Sequence, residues 1–199
     1  MFEQHRLRLL MALALPVVMA GAGLWAQQQL PEGAQVPIHF NAAGQADAWA
    51  GALEGLLLVP LLAAGILGLI LLLPRIDPRA EKLRQSQRAL LSIALAVQVL
   101  LATVQALLIA FALGHQPDLG RWLLLMTGLL FAVIGNMSGK VRWNYSFGIR
   151  TPWTLADERV WDKTHRFGGI VFFIAGLGLM GAALLAVPTS LGVPLIVAA

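Results

Sequence analysis

Five apolar stretches, each near the roughly twenty residues a helix needs to cross the hydrocarbon core of a bilayer, constrain the fold of this chain more than any other feature. They cover about residues 7–26, 53–73, 89–113, 122–137 and 169–187. Only 12% of the 199 residues are charged while 58% are apolar, too few charges to coat a soluble domain of this size. The expected fold is all-α, a polytopic transmembrane helical bundle with five clear spans. A sixth apolar run, TSLGVPLIVAA, is about half a crossing, so a partial sixth span is expected after Pro188. The basic start and Ala20-Gly21-Ala22 give the first run a competing reading as a cleaved export signal. That run continues apolar past the cleavage-like residues, which favours a retained span.

Charge placement orients the bundle. Arg6 and Arg8 stand at the start of the first run, five basic residues fall in 74–88, six fall in 138–168, and Arg121 stands alone on the other side. By the positive-inside rule the N-terminus and both basic loops face the cytoplasm, while 27–52 and 114–121 face outward. The organisation expected is a first span over 1–26 and an extracytoplasmic loop over 27–52. Spans two to four occupy 53–137, with the basic loop 74–88 between two of them. A cytoplasmic motif follows over 138–168, and span five with the partial sixth fills 169–199. The formal charge of +4 therefore marks topology rather than a nucleic-acid face, which would need a basic patch on a soluble module.

Cysteine is absent, which removes disulfides, thiolate metal sites and cysteine nucleophiles. No ionisable residue lies in the middle of the five runs, which counts against ion-coupled transport. Gln98 and Gln105, seven apart on one helix face, are expected to make interhelical hydrogen bonds worth roughly 1 kcal/mol each. Lining a substrate path is the alternative role for the pair. Gly178 with Ala182 forms a small-xxx-small pair suited to close helix packing, with Gly176 and Gly181 nearby.

Two polar stretches carry the remaining chemistry. In VPIHFNAAGQADAW, residues 36–49, the alternation of Val36, Ile38 and Phe40 with Pro37, His39 and Asn41 predicts a short extended segment. Turn residues Asn41 to Gly44 would then bring Asp47 near His39. Two such ligands are too few to argue a metal, and a structured lid over the spans is expected, with His39, Asn41, Asp47 and Trp49 as candidate ligand contacts. In the second stretch, Thr154 and Asp157 have capping-box spacing for an amphipathic helix over about 155–167, which Gly168-Gly169 would relax or end. Pro152 biases Thr151 toward an extended conformation and sets the geometry of Arg150 and Trp153. Interfacial anchoring explains tryptophans beside basic residues. It explains less well the concentration of Asn144, Tyr145, Arg150, Thr151, Thr164 and His165 in one connection, because anchoring tolerates exchange of residue identity. Glu158, Asp162 and His165 could meet on one helix side, but no HExxH pattern is present and basic residues surround them. No metal, cofactor or catalytic residue is expected. Acid–base chemistry by His165 and Asp162 lacks any supporting motif.

The segment GNMSGKVRWNYSFGIRTPWTLADERVWDKTHRFGG, residues 135–169, resembles the hallmark of the SdpI family of bacterial membrane proteins, and residues 36–49 resemble that family's short extracytoplasmic domain. The resemblance implies a multispan helical protein, usually with six spans, giving immunity to a secreted membrane-active toxin peptide. In the founding system it implies a signalling role too, by drawing a repressor to the membrane. It carries importance to Asn144, Gly148, Arg150, Thr151, Pro152, Trp153, Thr154, Trp161, Thr164, His165 and Arg166 without saying what they bind. The expectation is a non-enzymatic bacterial inner-membrane protein whose partners are lipids, a toxin peptide and a cytoplasmic repressor, with no direct nucleic-acid contact and an oligomeric state the sequence leaves open. A small transporter or lipid-handling protein, with Gln98, Gln105, Arg150 and His165 along a path, is the alternative.

Overall fold

The computed structural model describes residues 6–41 and 45–185, so the sixth apolar run and the tip of the turn at 42–44 lie outside the described residues. The elements in chain order are α1 (Arg6–Gln27), β1 (Gln35–Phe40), β2 (Ala46–Gly51), α2 (Ala52–Ile76), α3 (Ala80–Gln85), α4 (Gln87–Ala112), α5 (Leu119–Ser138), α6 (Pro152–Ala156) and α7 (Glu158–Leu184). Helices α1, α2, α4, α5 and α7 are long and apolar enough to cross a membrane, and the chain is a multi-pass helical bundle. Large side chains such as Val17, Leu61, Leu69, Ile170 and Ile174 point outward, which lipid tolerates and water would not.

Helices α1, α2 and α4 pack together, α5 packs on α4 as extensively as α1 does, and α5 pairs most closely with α7. The α5–α7 approach is set by glycines spaced seven apart on each helix. A Cβ on Gly135 would stand 2.6 Å from the Gly169 carbonyl oxygen, and one on Gly176 would stand 2.6 Å from that of Gly128. Backbones touch at those points because nothing else fits, and dispersion between close helices replaces a hydrophobic drive that lipid cannot supply. The sequence expectation for this face needs correction. Gly178 and Gly181 have nothing within 4 Å of an added Cβ, so Gly178 and Ala182 do not form the packing pair; Gly169 and Gly176 do.

Strands β1 and β2 form an antiparallel hairpin that runs into α2 with no intervening residue. The expected alternation along β1 is broken. Val36 and Pro37 are both buried while Ile38 and His39 are both exposed, because the register shifts around Pro37 and His39. Val36 rests on Gly55 of α2, where a Cβ would overlap the valine side chain, so the hairpin is seated directly on the first turn of a span. Phe40 meets Phe111 of α4 edge-on at 5.6 Å.

At the opposite end the expected helix over 155–167 gives way to two elements. Asp157 adopts an extended conformation and breaks the helix, and its carboxylate caps α7 by accepting from the Arg159 and Val160 N–H groups. The capping box forms one turn earlier, between Thr151 and Thr154 at the start of α6. Gly168 and Gly169 do not end the helix. α7 runs unbroken from Glu158 into the span, so the last motif residues are the first turns of a membrane helix.

Candidate functional site

The loop from Gly139 to Thr151 has little regular structure, so its backbone groups need partners from side chains. Asn144 supplies four. Its Nδ2 donates to the carbonyls of Arg142 (2.8 Å) and Phe147 (2.9 Å), and its Oδ1 accepts from the Ser146 N–H (2.9 Å) and the Phe147 N–H (2.6 Å). The full donor and acceptor capacity of a buried amide is used, which no carboxylate or apolar side chain reproduces.

His165 fixes the next stretch. Its ring is buried and stacked on Trp161 at 4.0 Å, and Nε2 accepts from the Ile149 N–H at 2.9 Å. Nδ1 therefore carries the proton and donates to the Trp161 carbonyl at 2.9 Å, which makes the ring neutral in this arrangement. Gly148 passes against this pair with φ +120°, where a Cβ would overlap His165 Nε2 and lie 3.1 Å from the Trp161 ring. Trp161 is fully buried and donates from Nε1 to the Val141 carbonyl at 2.8 Å. Buried Thr154 closes the loop, donating from Oγ1 to the Ile149 carbonyl and accepting from the Thr151 N–H, both at 2.8 Å. Trp143 Nε1 donates to the Thr154 carbonyl at 2.9 Å.

The candidate residues thus divide by environment. Asn144, Thr154, Trp161 and His165 face inward and hold the loop. Thr151 is the α6 N-cap. Arg150 is exposed and donates from Nη1 to the Tyr145 carbonyl at 3.0 Å. Trp153 is 72% exposed and Arg166 is also exposed, while Thr164 is half-buried. The outer candidates lie elsewhere. His39 Nδ1 and Asp47 Oδ1 are 2.5 Å apart on the hairpin, the backbones of Asn41 and Gln45 pair across its turn, and half-exposed Trp49 lies 6.4 Å from the Phe111 ring. The two groups are separated by the length of α2, whose 25 residues span about 37 Å.

The structure adds partners from the basic loop 74–88 that sequence reasoning passed over as a topology signal. Asp77 is buried just past the end of α2. One carboxylate oxygen accepts from the Arg79 N–H at 2.6 Å, and the other from the Tyr145 N–H at 3.0 Å and the Ser146 hydroxyl at 2.6 Å. The Arg79 guanidinium lies 3.2 Å from the Trp143 ring centroid and 4.3 Å from that of Tyr145, a double cation–π contact. Ser86 accepts from the Arg142 N–H at 2.8 Å, and Lys82 pairs with Glu158 at 2.6 Å. An Asp-Pro step closing an apolar run, amid five basic residues, was the available signal.

A helical membrane protein with a small hairpin on one end and, on the other, a loop that is framed by a buried histidine and clasped to a second loop through Asp77 is the class these features define. Residues 140–199 match the SdpI/YfhL protein family, and residues 13–64 match a domain of unknown function, DUF1648. Its signature segment is thus similar to the SdpI/YfhL protein family over less than a third of the chain. It is 32% identical over 96 residues to the Immunity protein SdpI of Bacillus subtilis (strain 168), a match that covers 48% of this chain and 46% of that relative. The chain thus spans about half the length of that relative. No solved structure matches.

Proposed function

We propose that the chain is an integral membrane immunity protein that protects the bacterial cytoplasmic membrane against a secreted, membrane-active toxin peptide. The observation that carries this reading is the hairpin. It holds Ile38, His39, Asp47 and Trp49 outward on the first turn of α2, within a segment, 27–52, that has no Lys or Arg. Such a surface offers apolar contact and no repulsion to a cationic peptide. The name of the Bacillus relative supports the same reading. The opposite end, where Arg150, Trp153, Arg159, Lys163 and Arg166 are exposed, is the surface we assign to a cytoplasmic repressor. A transporter path gains no support, because Gln98 and Gln105 are buried and bonded to helix carbonyls and His165 is spent on the loop.

The test is the membrane potential of a sensitive bacterium challenged with toxin peptide. Cells expressing the protein should hold their potential where empty cells depolarise, as followed with a potential-sensitive dye. Trp49→Ser with Ile38→Ser should weaken protection at equal membrane abundance. Point changes serve better than deletion, since Val36 packs in a core with Ala26 and Leu56. Depolarisation at the empty-cell rate across several related peptides would reject immunity.

Orientation is tested separately. With no native cysteine, single thiols can be placed cleanly at exposed Glu32 and Ala156. In intact cells a membrane-impermeant reagent should label Glu32→Cys and leave Ala156→Cys unmodified until the membrane is opened. The reverse pattern would turn the bundle over and remove the hairpin from the toxin's side.

A further inference from the structure

Pro60 lies inside α2 and has no N–H, so the carbonyl of Leu56, four residues back, loses its regular helical donor. In a bilayer no water replaces it. The Gln105 side chain on α4 does: its Nε2 donates to the Leu56 carbonyl at 2.9 Å. The same amide's Oε1 is buried with no partner, so the glutamine serves here as a donor alone. Gly23 of α1 makes the approach possible. A Cβ there would lie 2.8 Å from the Leu56 oxygen and 3.1 Å from Gln105 Nε2. Three helices therefore meet at one carbonyl, at the level where α2 is weakened and just below the turn on which the hairpin sits. Gln98 repeats the contact farther along, donating to the Ala63 carbonyl at 3.0 Å on the other side of the proline.

We infer that Pro60 is a hinge in α2 and that Gln105 is its clamp, a positioning residue that ties the hairpin-bearing first turns of α2 to α4. From α4 the tie continues to the signature loop, because Ser86, at the start of α4, accepts from the Arg142 N–H. Displacement of the hairpin is thereby passed to the far end of the bundle. This goes beyond the immunity reading and stands whether or not a toxin is the natural ligand.

A double-mutant cycle on the purified protein tests the clamp. Gln105→Leu should lower the melting temperature by roughly 2–4 °C. In a Pro60→Ala background, where residue 60 regains its N–H, the same change should cost less than half as much. Equal cost in both backgrounds would overturn the surrogate-donor assignment. The relay is read by thiol labelling of Arg142→Cys, whose backbone bond to Ser86 survives the substitution. Labelling should rise several-fold with Gln105→Leu and return toward the parent rate in the Pro60→Ala double variant. If Pro60→Ala does not accumulate, Gly23→Ala takes its place. It should displace the amide and raise labelling, whereas Gly21→Ala, with nothing within 4 Å, should leave the rate alone. An unchanged rate with Gln105→Leu or Gly23→Ala would overturn the relay.

Discussion

Gly148→Ala should deprive the protein of its folded signature loop, with a cost of about 2–4 kcal/mol from two independent sources. The first is conformational. At φ +120° glycine is unhindered while any L side chain is strained. The second is steric and chemical. The new methyl would overlap His165 Nε2, the atom that accepts from the Ile149 N–H, and would crowd the Trp161 ring from 3.1 Å. Relief requires the imidazole to move, which breaks its stack on Trp161 and orphans a part-buried backbone donor. At a few degrees of melting temperature per kcal/mol, the expected drop is on the order of 5–10 °C, together with a loss of monodisperse material after detergent extraction. Gly178→Ala is the matched control on α7, since nothing lies within 4 Å of its added Cβ. A Gly148→Ala protein that melts with the parent would show that the loop repacks freely, and the histidine could not then be its fixed point.

The helices were legible in the sequence because their signal is physical and local. A run of apolar residues has few options in a bilayer other than a helix that satisfies its own backbone. The observed spans start and end within a few residues of the apolar runs, except that α7 extends back through the motif to Glu158. The hairpin was legible in outline, including the approach of His39 to Asp47, since turn residues and β-type alternation are also local. Its faces were not. A register shift around Pro37 and His39 moves the side chains that follow relative to their partners, and no composition rule places a bulge. The packing stripe of α7, expected at Gly178 and Ala182, lies elsewhere for a related reason. Glycines occur on more than one stripe of α7, and only the partner helix decides that Gly169 and Gly176 are used while Gly178 and Gly181 are not.

In the signature loop, the residue types pointed to a built structure, and the structure adds the division of labour. Trp153 and Trp161 look alike in sequence, yet one is largely exposed and the other fully buried with its N–H engaged. The motif is therefore neither wholly an anchor nor wholly a binding surface. Its inner residues are a frame, and its outer ones are what a partner could meet. What single-sequence reasoning could not reach was the other half of the frame. Asp77 and Tyr145 are 68 residues apart, and nothing local says that the loop after α2 must pair with the loop after α5.

Asp77→Ala should be nearly as damaging as Gly148→Ala, and a graded series separates the carboxylate's role from its charge. Both oxygens of Asp77 are acceptors in a buried position, one for the Arg79 N–H and one shared by the Tyr145 N–H and the Ser146 hydroxyl. Alanine leaves these donors unmatched at about 1–3 kcal/mol each, less whatever water can enter, so a loss of about 3 kcal/mol or roughly 6–12 °C is expected. Asparagine has one acceptor oxygen. Turned to keep Tyr145 and Ser146, it sets its NH2 against the Arg79 N–H, so Asp77→Asn should fall between alanine and the parent. Ser146→Ala removes a single partner and should be mild. The consequence should not stay local, because the Asp77 turn also positions Arg79 between Trp143 and Tyr145. Trp143 emission, isolated by replacing the other tryptophans where stability allows, should therefore shift in Asp77→Ala and not in Ser146→Ala. Identical melting for Asp77→Ala, Asp77→Asn and the parent would mean that the two loops fold independently. The clasp would then be a contact without energetic weight, and the link from α2 to the signature loop would run through α4 and Ser86 instead.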